Sequence, residues 1–219
     1  MSADKAEASE FLTQRWRVVM LDCAAPAEPA AAALSELLAA YGAPGRHYHS
    51  LAHIAALLRL LDQQSQHFAD RTAVELAIFY HDAVYDVARK DNEAASARLA
   101  QTRLPALAVS PERTQRVARL IEATAHGAVV PDPNDADMLR FLDLDLSILG
   151  ADGPSYAAYA RAVRQEYSIY PDDMYRAGRA KVLQGFLRRR SIYCSAPLRA
   201  AWENGARLNL ESELRGLGS

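Results

Sequence analysis

The sequence predicts an all-α fold. Apolar residues recur at helical spacing along most of the chain, and alternating β-branched runs of the kind that make strands are few. Recognisable start and stop residues bound the segments, and a hydrophobic fraction of 50% over 219 residues supplies a substantial core. No fixed-period repeat or low-complexity linker divides the chain, although Ala27 to Ala40 is alanine-rich, so residues 1–219 are read as one domain.

Glu10 to Met20 reads as a first amphipathic helix and Ala30 to Tyr41 as a second, which Gly42, Pro44 and Gly45 terminate. A third opens around Arg46-His47-Tyr48-His49-Ser50-Leu51-Ala52-His53 and runs to about Gln66. The fourth, Arg71 to about Val84, is polar only near its start and is then apolar through Tyr80, as befits a helix at the centre of a domain. Asp91 is a natural N-cap for Asn92 to Arg103, and Ser110-Pro111 is a cap and first-turn signal for a helix ending near His126-Gly127. Val129 to Asn134, with two prolines, is a loop. Met138 to Leu149 closes at Gly150, and Tyr156 to Glu166, Met174 to Arg189 and Leu198 to Leu214 complete a set of roughly nine or ten helices.

Charge excludes several classes of function. A net charge of −2 and a pI near 6.3 offer no basic field for a nucleic-acid backbone, and no polybasic segment marks a membrane surface. Small-molecule chemistry is the default that remains. Cys23 and Cys194 stand in unrelated contexts, which indicates neither a disulfide framework nor a thiolate zinc site and fits a reducing cytoplasm. Asp4, Lys5, Glu7 and Glu10 precede any apolar run, the wrong order for a signal peptide, and no apolar stretch approaches ~20 residues.

Against this background the stretch Leu76 to Asp86 stands out, because it drives a vicinal His81-Asp82 pair into apolar sequence. A buried carboxylate must be paired, hydrogen-bonded or bound to a metal, since stripping it of water costs several kcal/mol or more. Of the six histidines, His47, His49, His53, His81 and His126 lie where chemistry could use them, and only His67 looks incidental. If the third helix has begun by His49, then His49 and His53, four apart, share a face. Arg140 to Gly150 repeats the oddity with Asp143 and Asp145, which helical geometry separates by about 200°. One of them is a ligand candidate; the other would cap a neighbour, hold a supporting hydrogen bond or face solvent. Two imidazoles and two carboxylates make a mixed N/O set that suits a hard or borderline divalent ion with open positions for water. Adjacent residues on a helix diverge by about 100°, so an ion shared by His81 and Asp82 must sit in the angle between them, near where that helix ends, and the apolar run stops at Tyr85-Asp86.

These residues resemble the signature of the HD superfamily of metal-dependent phosphohydrolases: a distant His, a vicinal His-Asp and a later Asp. His53, His81, Asp82 and Asp145 fall on those positions in order. The chain is similar in particular to a small bacterial family of predicted HD-type phosphohydrolases. The likeness runs through residues 46–53 and 79–85, Asp91-Asn92-Glu93, Ala123-Thr124-Ala125-His126 and residues 143–146, and continues to Arg164-Gln165-Glu166-Tyr167, Gly178-Arg179 and residues 206–210. The resemblance implies a single HD-type helical bundle and a divalent ion (Mn, Mg, Fe, Co, Ni or Zn) held by His53, His81, Asp82 and Asp145. Asp145 is preferred to Asp143 because the second Asp of such a pair is the usual ligand in related triphosphohydrolases. The segment Tyr48 to His53 is similar to a motif of cyclic-nucleotide phosphodiesterases, which makes His49 the acid that protonates the leaving group.

The activity so implied is hydrolysis of a small, nucleotide-like phosphoester by a metal-activated water, with Asp82 or Asp145 also able to orient that water. Arg46, Lys90 and Arg164 are candidates for gripping phosphate, each equally readable as a solvated cation, and Arg188-Arg189-Arg190 reads as an exposed helix end. His126 is a substrate or supporting contact, a histidine favoured by the helix dipole, or an additional ligand. Two alternatives keep the fold and change the function: a di-iron oxygenase, which would need His49 and His126 as ligands, and a non-catalytic metal-containing nucleotide sensor. Substrate, metal, one ion or two, and oligomeric state are left open.

Overall fold

The structure, a computed structural model, describes residues 3–64, 68–125 and 132–218. Among them are ten α-helices, two 3-10 helices and no strand, the all-α architecture that the sequence predicts. The helices are α1 (Ala3–Asp22), α2 (Ala27–Tyr41), α3 (Leu51–Gln63), α4 (Arg71–Tyr80), α5 (Asn92–Arg103), α6 (Pro111–Ala123), α7 (Ala136–Asp145), α8 (Gly153–Glu166), α9 (Asp172–Leu187) and α10 (Ala196–Gly218). They group into two compact units, Met1–Met138 and Leu139–Ser219, and none among the described residues is long and apolar enough to cross a membrane.

In the first unit α4 is the central helix, with every residue from Ala73 to Tyr80 buried. Its apolar run leaves no face for water, so α1, α3, α5 and α6 all pack against it. Trp16 of α1 meets Phe79 edge-to-face at 4.9 Å and donates its indole N–H to the Ala30 carbonyl at 2.9 Å. The polar start of α4 is used as well. Asp70 caps the helix through the Ala73 amide, and Glu75 accepts from Arg71 at 3.0 Å and Arg15 at 3.2 Å, with Asp62 pairing to both arginines. Burial pushes the Glu75 carboxyl up and the two arginines pull it back.

Of the boundaries that differ from expectation, three bear on the candidate residues. α3 begins at Leu51, because Ser50 is extended (φ −122°, ψ −179°) and stands at its N-cap. α4 stops at Tyr80 rather than near Val84, and α7 gives way after Asp145 to a 3-10 turn, Leu146–Gly150. α6 ends at Ala123; Gln66, His67, His126, Gly127 and the start of the 129–134 loop lie outside the described residues.

The second unit is built on Leu149, Tyr156, Leu183, Phe186, Ile192, Tyr193, Ala206 and Leu210. Glycine matters where the 3-10 turn meets α10. A Cβ on Gly150 would stand 2.6 Å from Trp202 Cβ, and one on Gly205 would stand 3.1 Å from the Gly150 carbonyl oxygen. This close approach lets Asn209 donate to the Leu149 and Ala151 carbonyls at 2.9 and 2.8 Å. Both cysteines are free thiols, Cys23 buried in the first unit and Cys194 exposed in the second.

Candidate metal centre

The site grows from two chain segments of the first unit. Gly42, Pro44 and Gly45 end α2, and the chain turns through Arg46 to Ser50 before α3 begins. His53 occupies the third position of α3 and is buried at 7% exposure. His49 precedes the N-cap, so the two histidines do not share a helical face as the spacing suggested. Tyr48 lies against both instead, its ring 4.9 Å from that of His49 and 4.8 Å from that of His53.

The second segment is the end of α4. The His81 amide donates to Ala77 at 2.8 Å, the helix's last bond, and the chain then leaves the helix. The next backbone groups are taken by side chains. Tyr41 Oη accepts from the Asp82 amide at 3.1 Å, while Arg46 donates to the Asp82 carbonyl at 2.7 Å and the Ala83 carbonyl at 3.1 Å. Ser96 Oγ bonds both the amide and the carbonyl of Val84, and Asn92 does the same for Asp86. α4 therefore ends next to the His81-Asp82 pair.

His81 is 1% exposed, and its Nδ1 lies 2.9 Å from the Ile78 carbonyl oxygen. A carbonyl only accepts, so Nδ1 carries the proton of this bond and Nε2 is the atom left to face the site. Nε2 stands 3.2 Å from His53 Nε2 and 3.2 Å from Asp82 Oδ2, and the three residues offer ligand atoms within 4.8 Å of one another. Three atoms able to act as ligands converge here, a group that could hold a metal ion. Ligands about 2.1 Å from one divalent ion and 90–109° apart stand about 3.0–3.4 Å from each other, a range that includes the His81–His53 and His81–Asp82 separations. The His81 bond to Ile78 is also the kind of support that fixes a ligand imidazole in its tautomer. Next to this trio, His49 Nε2 is 4.0 Å from Asp82 Oδ2, and the His49 ring stacks on Tyr85 at 4.3 Å and 31°.

Asp143 and Asp145 belong to the second unit, and their surroundings separate their roles. Asp143 is fully buried and accepts from the Cys194 amide at 2.6 Å, the Ser195 amide at 2.7 Å and Ser195 Oγ at 2.5 Å, capping the approach to α10. Burial pushes its carboxyl up, and these three donors pull against that. Asp145 is the last residue of α7 and is half-buried.

The remaining candidates are placed as follows. Arg46 spends its guanidinium on the carbonyls of His49, Asp82 and Ala83. Arg164 pairs with Asp172, donates to the Tyr167 and Tyr170 carbonyls and lies over the Tyr175 ring, a set of bonds that ties the α8–α9 turn together. His47 and Lys90 are exposed. His126 lies outside the described residues. Tyr41, Tyr85 and Ser96 are contributors that sequence reasoning did not single out. Only Tyr85 carried a signal, as the end of the motif that begins at Phe79. No protein-family model, curated protein or solved structure matches this chain.

Proposed function

We propose that the chain is a metal-dependent phosphohydrolase of the HD type, acting on a small, nucleotide-like phosphoester in the cytoplasm. The convergence of His53 Nε2, His81 Nε2 and Asp82 Oδ2 carries this reading, because it joins the residues of the sequence signature in a donor set suited to a divalent ion. The HD resemblance adds Asp145 as the fourth ligand, and the capping work of Asp143 supports choosing Asp145 over it. When bound, Mn, Mg, Fe, Co, Ni or Zn supplies Lewis acidity and an acidified water.

The chain's own residues supply the rest. Asp82, 15% exposed and beside two imidazoles, orients the attacking water through its carboxylate. His49, with its ring against Tyr85 and Tyr48 and its Nε2 4.0 Å from Asp82 Oδ2, donates a proton from Nε2 to the departing oxygen. The buried walls given by α3 and α4 keep these groups in fixed rotamers, so little reorganisation precedes the reaction.

The test is a screen of nucleotides, sugar phosphates and cyclic nucleotides against Mn²⁺, Mg²⁺, Fe²⁺, Co²⁺ and Zn²⁺, with Asp82→Ala as the blank. Turnover by the wild type and none by the blank supports hydrolysis; equal turnover marks a contaminant and removes the proposal. His49→Ala is expected to lower kcat by ~10²–10⁴ while keeping the metal. Loss of metal in that variant would make His49 a ligand instead of the acid.

A further inference from the structure

Arg46 was a candidate for gripping phosphate, yet its guanidinium points along the backbone of the protein itself. Nη1 donates to the His49 carbonyl at 3.1 Å and the Asp82 carbonyl at 2.7 Å, and Nη2 donates to the Ala83 carbonyl at 3.1 Å. The rings of Tyr41 and Tyr85 each have their centroid 5.1 Å from the guanidinium carbon. Both tyrosines also reach the site: Tyr41 Oη takes the Asp82 amide, and the Tyr85 ring lies on His49.

We infer that Arg46 is a positioning residue that ties the His49–His53 segment to the His81–Asp82 segment, so that ion binding depends on this guanidinium acting through backbone carbonyls. The inference rests on the metal-centre reading above. Two physical points carry it. First, α4 ends at Tyr80, and the helical ladder no longer serves the carbonyls of Asp82 and Ala83. Arg46 is the donor to both. Second, His49 stands outside α3, so no helix fixes it; its carbonyl is held by Arg46 and its ring by Tyr85, which itself packs on Arg46. A planar fork with three directed N–H bonds and two neighbouring aromatic rings does what a lysine ammonium cannot, and its positive charge suits the carbonyl end of α4.

The experiment measures binding of Mn²⁺ alone to the full chain by calorimetry and electron paramagnetic resonance, for wild type, Arg46→Lys, Arg46→Ala and Asp82→Ala, with helix content followed by circular dichroism. Loss of a group supporting metal ligands costs about 10–100-fold in affinity, and Arg46→Lys is expected to fall in that range with helix content unchanged. The visible spectrum of bound Co²⁺ should shift in the same variant, and methylguanidinium should restore Mn²⁺ binding to Arg46→Ala. If Arg46→Ala does not fold, Arg46→Lys and the Co²⁺ spectrum carry the test. Independently of any variant, Zn²⁺-loaded wild type should keep slowly exchanging Arg46 guanidinium protons when saturated with inorganic phosphate.

Wild-type Mn²⁺ affinity in Arg46→Lys, with binding lost in Asp82→Ala, overturns this inference alone. So does a loss confined to inorganic phosphate binding by the Mn²⁺-loaded protein, or release of the guanidinium protons by phosphate, either of which makes Arg46 the phosphate grip. Equal Mn²⁺ binding by wild type and Asp82→Ala removes the metal centre itself, and the inference with it.

Discussion

Asp143→Asn separates the capping role of Asp143 from the ligand role expected of Asp145. In the wild type one carboxylate oxygen receives the Cys194 amide at 2.6 Å and the other receives the Ser195 amide at 2.7 Å and Ser195 Oγ at 2.5 Å. An amide in its place keeps one backbone bond, and the Ser195 hydroxyl turns to accept from the new NH₂. The second backbone N–H then faces another donor. An unsatisfied buried donor costs about 1–3 kcal/mol, and relief of a buried charge offsets part of it, which puts the loss near 2 kcal/mol. For a chain of this size that corresponds to roughly 4–8 °C in Tm. The measurement is urea unfolding followed by tryptophan fluorescence in a Trp16→Phe background. Of the two tryptophans this leaves Trp202, which packs against Tyr193 at 5.6 Å in the second unit. A change below about 0.5 kcal/mol, the range of neutral surface substitutions, refutes the capping argument. Loss of Mn²⁺ binding in the same variant would make Asp143 the ligand.

Asp135 caps α7 through the Met138 amide and pairs with Arg116, which holds its carboxyl below the usual range. A depressed carboxyl contributes stability above its ordinary pKa and loses it as pH falls through the folded value, so wild type should lose stability faster than Asp135→Asn in acid, from about pH 4 downward, in denaturant melts across pH. Gly150→Ala drives a Cβ to 2.6 Å from Trp202 Cβ and should cost at least about 1–3 kcal/mol, whereas Gly178→Ala, with nothing within 4 Å, should gain about 0.5–1 kcal/mol by removing a helix glycine. Thermal melts of the pair check both signs. Mn²⁺ at about 100 times its Kd should stabilise the wild type by about 2.7 kcal/mol, and Asp82→Ala should show no such gain.

How far the sequence carries is decided by whether the determining contact is local. α4 was legible because a helix whose residues are apolar all round has nowhere to be but the centre, and Ala73 to Tyr80 are all buried. His53, His81 and Asp82 were legible because polar side chains forced into such surroundings must converge on something. Whether α3 begins by His49 was open in the sequence, although Ser50, a good N-cap type, stands next to it. The end of α4 was not legible at all, since the local sequence Ala83-Val84-Tyr85 has no helix breaker. What stops that helix comes from residues 36 to 41 positions upstream and 12 downstream, in Tyr41, Arg46 and Ser96.

That distribution has a consequence for how such a site is built. A vicinal pair is a poor chelate on an intact helix, because the two side chains diverge by about 100°. It becomes a good one only when the second residue steps off the helix, and stepping off exposes carbonyls that water cannot serve in a partly buried place. The structure meets that cost with side chains whose other ends belong to the site: Arg46 reaches His49, Tyr41 flanks Arg46, and Tyr85 covers both Arg46 and His49. The groups that bond the chain where the helix ends therefore also flank the proposed donors. A substitution in this set should disturb ion binding and local helix termination together, whereas a substitution in the apolar wall of α4 should lower stability without changing the ion's surroundings.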